Sequence, residues 1–212
     1  MFELTQPNNI VGKTVGKSQL ICSIDNFYKD PDKVVEYIES HEAEVWKEHQ
    51  QPSYNTIHFS DLRHHIKNFE IHRVYEFIED QFNCELSSDM NLITTNKTLW
   101  YENEFNNFKD NYWYPHRDGG NGRVTCMIYF DSSGTNLYEL KINEEQYVEG
   151  LSSEHYEPWK TKKNFDLVYK IEAKYNRFVA FDGSYFHGAA VDDDTYFKKY
   201  RMNQVFFMDQ KV

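Results

Sequence analysis

Downstream of residue 122 the chain breaks into short β-type runs, and this pattern restricts the possible folds more than any other feature. Residues 124–130, 136–142, 165–171, 178–181 and 200–208 are rich in β-branched and aromatic side chains, with Gly, Ser, Asn and Asp falling between them. Runs of this length and spacing suit a barrel-like β-sandwich. Within residues 122–131, GRVTCMIYFD, alternation predicts that Arg123, Thr125, Met127 and Tyr129 share one face. Phe165, Leu167, Tyr169 and Ile171 alternate in the same way, and Lys174-Tyr175-Asn176 reads as the turn into the next strand. Residues 143–164 are charged, contain Pro158 and show no period, which predicts an insert at the rim.

The first half supplies helices. Asp30-Pro31 offers an N-cap followed by proline at the first helical position, and Val34, Val35 and Ile38 form the apolar stripe behind it. Ser60-Asp61 is a cap for a second helix, on which the adjacent His64 and His65 would diverge as surface or packing side chains. Val74, Phe77, Ile78 and Phe82 recur at helical spacing and predict an amphipathic helix over residues 71–82. Residues 18–24 and 92–101 are β-type, and residues 5–17 read as an irregular lead-in or loosely held strands. The expected class is mainly β with flanking helices, in a single domain spanning 1–212. Within it, residues 1–99 brace one face of a core formed by residues 100–212.

Composition excludes several functions. The 23 Lys and Arg against 34 Asp and Glu leave a formal charge of −11, which argues against a phosphate-tracking surface and so against a nucleic-acid partner. With 16 Tyr, 16 Phe and 4 Trp there is ample material for a core, so disorder is not expected. Cys22, Cys84 and Cys126 form no C-x-x-C pair, and neither a zinc ribbon nor a disulfide framework follows from them. No basic-then-apolar leader opens the chain and no run reaches membrane-spanning length, so a cytoplasmic location is expected.

The chemistry centres on Tyr114-Pro115-His116-Arg117-Asp118-Gly119-Gly120. Residues two apart in an extended segment point the same way, so His116 and Asp118 can converge on one ion. Pro115 excludes a continuing helix, and the glycine pair turns the chain directly afterwards. A second histidine, His187, follows the apolar run 178–181. Two histidines and one carboxylate leave coordination positions open, as in non-haem Fe(II) oxygenases. Tyr112, Trp113 and Tyr114 beside the pair suit either a pocket wall or a core edge. Arg201 opens a run in which Asn203, Val205 and Phe207 share its face. A guanidinium directed into so apolar an interior needs an anion, either a bound ligand or a protein carboxylate such as Asp182 or Asp131.

Four stretches, HRD at 116–118, GRVTCMIYFD at 122–131, NRFVAFDGSYFHGA at 176–189 and YRMNQVFFMD at 200–209, together resemble the 2-oxoglutarate- and Fe(II)-dependent dioxygenases, in their prolyl-4-hydroxylase-like branch. The resemblance spans the chain from about residue 100 onward. It implies a double-stranded β-helix core of the jelly-roll, cupin-like kind. It also implies Fe(II) on His116, Asp118 and His187, with 2-oxoglutarate as cosubstrate, O₂ as oxidant and ascorbate as an optional accessory. Arg201 would pair with the distal carboxylate of 2-oxoglutarate. Tyr129 would add a hydroxyl to the same carboxylate, Leu137 would pack on the cosubstrate, and Asn203 would assist. Tyr101 and Tyr112 are the two candidates for an upstream tyrosine. The implied reaction hydroxylates an unactivated C–H of a protein side chain or small molecule, and Asp118 favours hydroxylation over halogenation because halogenating relatives carry a small residue there. Two other readings stand beside it. Arg201-Met202-Asn203 is similar to the start of the motif in oxidative nucleic-acid demethylases, although Phe207 stands where their second arginine would be. A jelly-roll that holds metal without turnover is the other.

Overall fold

The computed structural model describes residues 3–5, 10–15, 19–40, 44–45, 58–59, 62–65, 68–87, 92–98, 109–118, 122–131, 133–144, 147, 159–191, 195 and 198–211. The chain is mainly β, with antiparallel sheets and two helices among these residues.

The large sheet has seven strands. They are β1 (Ile10–Val15), β2 (Gln19–Ile24), β5 (Leu62–His65), β6 (Leu92–Thr98), β8 (Arg123–Tyr129), β12 (Arg177–Asp182) and β14 (Arg201–Asp209), in the spatial order β1-β2-β12-β8-β14-β6-β5. A three-stranded sheet, β11-β9-β13, is made of β9 (Thr135–Leu140), β11 (Phe165–Ile171) and β13 (Phe186–Ala189). Two short pairs complete the description: β3 (Glu44–Val45) with β4 (His58–Phe59), and β7 (Asn111–Trp113) with β10 (Trp159–Thr161).

Alternation along β8 explains the layering. Val124, Cys126 and Ile128 join Phe130, Phe178, Phe206 and Met208 in a core beneath helices α1 (Pro31–Glu39) and α2 (Asn68–Phe82). Met127 and Tyr129 face the other way, into a second core with Leu137, Ile171, Val179 and Phe181. The large sheet therefore has helices on one face and the small sheet on the other. The α1 start is as the sequence predicts: Asp30 caps the Lys33 amide at 3.4 Å, Pro31 opens the helix, and Val34 and Ile38 are buried. Helix α2 buries Tyr75 and Ile78 and closes at Asn83, whose φ of 50° lets the Cys84 amide reach back to the Glu79 carbonyl at 3.1 Å. The Val74 side chain is outside the description.

Two expectations are corrected and one open alternative is decided. No second helix begins before His64 and His65. Both lie on β5, which pairs antiparallel with β6, while Ser60 and Asp61 fall outside the described residues. Four residues cannot repay helix nucleation, whereas the edge of an existing sheet satisfies their backbone at once. Within residues 5–17, residues 10–15 take the strand alternative, paired antiparallel with β2. The alternation over 165–171 also breaks, because a register shift between Leu167 and Tyr169 changes which side faces in. Phe165 consequently packs outside the small sheet with Tyr138 and Phe186, Ile171 packs inside, and Leu167 is left 46% exposed. Of the predicted insert, β10 and the 3-10 turn Lys162–Asn164 are described. No helix among the described residues is long and apolar enough to cross a membrane.

Candidate metal centre

His116 and His187 are held by each other. The amide of each donates to the carbonyl of the other at 2.9 Å, forming an isolated antiparallel bridge between the chain after β7 and strand β13. Both rings are fixed in the same local way. His116 Nδ1 lies 2.7 Å from the Tyr114 carbonyl, and His187 Nδ1 lies 2.8 Å from the Tyr185 carbonyl, two residues back in each case. A carbonyl only accepts, so each Nδ1 carries the proton and each Nε2 keeps a lone pair. The bridge depends on Gly188, because a Cβ there would sit 2.3 Å from the Trp113 carbonyl. Tyr114 takes an unusual φ of 47° on entry to the site.

Asp118 completes the group. Its amide donates to the Gly183 carbonyl at 2.9 Å, and Thr125 Oγ1 on β8 donates to its Oδ2 at 2.7 Å. The carboxylate then meets His116 Nε2 at 3.3 Å and His187 Nε2 at 2.9 Å. One ligand atom from each of the three residues lies within 4.8 Å of the others, so they can hold a metal ion. Two imidazole lone pairs and a carboxylate pressed together repel unless a cation lies among them, and a divalent ion meets that need for all three at once. Burial pushes the Asp118 carboxyl up; when both imidazoles take a second proton on Nε2, their hydrogen bonds and charge outweigh burial and hold it well below its usual range, and a bound metal ion takes the place of those protons. Gly183 is required here too, since a Cβ would fall 2.6 Å from Thr125 Oγ1.

The three ligands open into a cavity of about 220 Å³ between the two sheets. Trp113, Met127, Val205 and Phe207 supply its apolar wall, and Asn96, Thr135, Asn203 and Arg201 supply polar groups. Arg201 is only 6% exposed. Its Nε donates to Ser133 Oγ and its Nη2 reaches the Gly134 carbonyl at 3.5 Å, and these are its hydrogen bonds. Among the described residues no carboxylate pairs with it. Asp131 is engaged by the amides of Ser133 at 2.9 Å and Met202 at 2.7 Å, and Asp182 by the amide of Ser184 at 2.8 Å. Among the described residues, then, neither Asp131 nor Asp182 forms the alternative internal salt bridge with Arg201. Asn203 is likewise buried on the cavity, with its Oδ1 accepting no hydrogen bond.

Tyr129 and Leu137, the other two residues expected at the cosubstrate, are not among those that line the cavity. Tyr129 is fully buried behind the cavity wall, and its hydroxyl pairs with Thr135 Oγ1 at 2.7 Å. Burial raises its pKa to about 12 despite that hydrogen bond. Leu137 is also fully buried, in the core between the sheets and opposite His187 in register. Thr125 and Thr135, with Tyr114, are the hydroxyl-bearing residues that do line the cavity. Alternation already put Thr125 on the inner face, but nothing in the sequence told that its oxygen, and not that of Tyr129, would reach the site. Of the aromatic cluster, Trp113 and Tyr114 line the cavity, whereas Tyr112 packs on Tyr138 with ring centroids 4.6 Å apart. Tyr101 lies outside the described residues.

No curated protein matches this chain. A family described as one of unknown function, DUF6445, matches residues 7–202, a span that takes in His116, Asp118, His187 and Arg201. The chain belongs to that family.

Proposed function

We propose that this protein is an Fe(II)- and 2-oxoglutarate-dependent dioxygenase that hydroxylates an unactivated C–H. The observation that carries the reading is Arg201, a buried guanidinium with no carboxylate partner among the described residues, on the same cavity as the His116–Asp118–His187 group. A buried cation is costly unless an anion meets it, so the cavity calls for a ligand with an anionic end, and a dicarboxylate that also reaches the metal satisfies both ends. The chain order supports a double-stranded β-helix. β8, β12 and β14 in the large sheet are interleaved along the chain with β9, β11 and β13 in the small one.

In this reading iron supplies oxygen activation, so that R–H, O₂ and 2-oxoglutarate give R–OH, succinate and CO₂. The chain's own residues do the rest. The Tyr114 and Tyr185 carbonyls keep the imidazoles in the metal-binding tautomer, and Thr125 orients the Asp118 carboxylate. Arg201 offers a planar fork to the distal carboxylate. Met127, Val205, Trp113 and Phe207 exclude water from the space between. Phe207 and the formal charge of −11 speak against a nucleic-acid substrate and for a protein side chain or small molecule.

The test is an anaerobic titration with Fe(II) and then 2-oxoglutarate, followed by exposure to air and assay of succinate. Stoichiometric binding of both, with succinate formed, is expected. Metal binding without 2-oxoglutarate binding would leave a metal-holding module instead.

A further inference from the structure

Strands β8 and β14 form a ladder along the inner wall of the cavity. Asn203 stands opposite Tyr129, Val205 opposite Met127, Phe207 opposite Thr125, and Asp209 opposite Arg123. The metal group belongs to the Thr125–Phe207 rung, because Thr125 Oγ1 holds the Asp118 carboxylate at 2.7 Å. Arg201 lies on one side of that rung and is buried. The Arg123–Asp209 rung lies on the other side, one same-face step or about 7 Å further out. It is half open to solvent, with side-chain exposures of 36% for Arg123 and 47% for Asp209.

Arg123 is rigidly held there. Its Nε donates to Asp209 Oδ1 at 2.7 Å and its Nη2 to Asp209 Oδ2 at 3.2 Å, while the guanidinium carbon stands 5.3 Å from the centre of the Phe207 ring, itself part of the cavity wall. One edge of the guanidinium is thus occupied and one face is stacked. The outer edge, with Nη1, makes no hydrogen bond among the described residues. This edge is a preorganised donor pair for a carboxylate. Asp209 uses one contact on each oxygen and keeps acceptor capacity for an ammonium. The pair as a whole is neutral, so it fits a neutral molecule with the opposite dipole better than a net anion.

We propose that the Arg123–Asp209 pair is the docking point of the substrate, and that the substrate is a free α-amino acid. Its carboxylate meets the outer edge of Arg123 and its ammonium meets Asp209. Its side chain extends along Phe207 and Trp113 toward the metal rung. The proposal rests on the dioxygenase reading above and narrows its substrate class.

The probes are free L-amino acids with apolar side chains and, for each, its carboxamide and its N-acetyl derivative. They are given to the full chain with Fe(II), 2-oxoglutarate and air. Expected is succinate release roughly tenfold or more above the amino-acid-free rate for at least one free amino acid, with both derivatives inactive. Arg123→Met should raise KM for that amino acid roughly tenfold or more, with kcat changed far less. Asp209→Asn, which keeps the shape of the pair, should also raise KM, and it carries the test if Arg123→Met does not fold. Carboxamides as active as free acids, unchanged KM in both variants, or no stimulation by any free amino acid would each overturn the proposal. Those outcomes are separable from failure of the dioxygenase reading, in which 2-oxoglutarate itself does not bind.

Discussion

Two backbone carbonyls decide what His116 and His187 offer, because an Nδ1–H held by Tyr114 or Tyr185 leaves only Nε2 to bind an ion. Thr125 does the corresponding work for Asp118, so Thr125→Val, which keeps the bulk and removes the donor, should weaken Fe(II) or Mn(II) affinity about 10–100-fold in an anaerobic titration. Arg201→Met should weaken 2-oxoglutarate binding by about 2–5 kcal/mol, with metal affinity nearly unchanged. A loss of stability with intact 2-oxoglutarate affinity would move the anchor away from Arg201. His116, Asp118, His187 and Arg201 were all readable in the sequence, because spacing and strand period decide which side chains share a side. Thr125 and Thr135 were not, because period gives a face but not the atom that ends nearest the ligand. Tyr129 and Leu137 face inward too, but lie behind the residues that line the cavity, which period alone does not tell either.

Among the elements, the turn before β12 ties the segment that leads into α1 to the large sheet. Asn176 is buried with a φ of 59°, and its carboxamide accepts from the Tyr28 amide at 2.9 Å and donates to the Tyr28 carbonyl at 2.8 Å. Asn176→Ala should therefore cost about 2–4 kcal/mol in urea unfolding, from the orphaned groups of Tyr28 and the strained φ together. Asn176→Gly relieves the strain alone and should recover about 1–2 kcal/mol of that. One step along, Asp25 at the end of β2 meets Arg177 at 2.6 Å and Lys174 at 2.7 Å. The hydrogen bond from Arg177, opposed by burial and aided by Lys174, lowers the Asp25 pKa from 3.8 to about 2. Because the folded value is the lower one, this stabilisation is complete above the ordinary carboxyl pKa and is lost as pH falls toward 2. Asp25→Asn should flatten the acid limb of stability in that window, which urea midpoints between pH 5 and 2 would read. The turn itself was legible from Lys174-Tyr175-Asn176, and α1 from its cap and proline. The strand at 62–65 and the register shift at 167–169 were not, because each is settled by the neighbouring strand it pairs with and not by its own residues.

For the whole molecule, the metal group matters because its ligands come from separate parts of the chain. His187 sits on β13 in the small sheet, His116 and Asp118 follow β7, and Asp118 is bonded to Thr125 on β8 in the large sheet. An ion bound by all three therefore links the two sheets across the open end of the cavity, and unfolding must release it. Ligand bound only by the folded state adds RT ln(1 + [L]/Kd), about 2.7 kcal/mol at a hundredfold excess over Kd. For a chain of 212 residues that corresponds to a rise in Tm of about 5–11 °C. Calorimetry with Mn(II), which does not oxidise readily in air, should show this rise in the parent protein. It should vanish in His187→Ala and in Asp118→Ala, although both variants still unfold cooperatively without metal. A rise that survived in either variant would put the ion outside the His116–Asp118–His187 group, and with it the premise on which Arg201 and the Arg123–Asp209 pair have been given their roles.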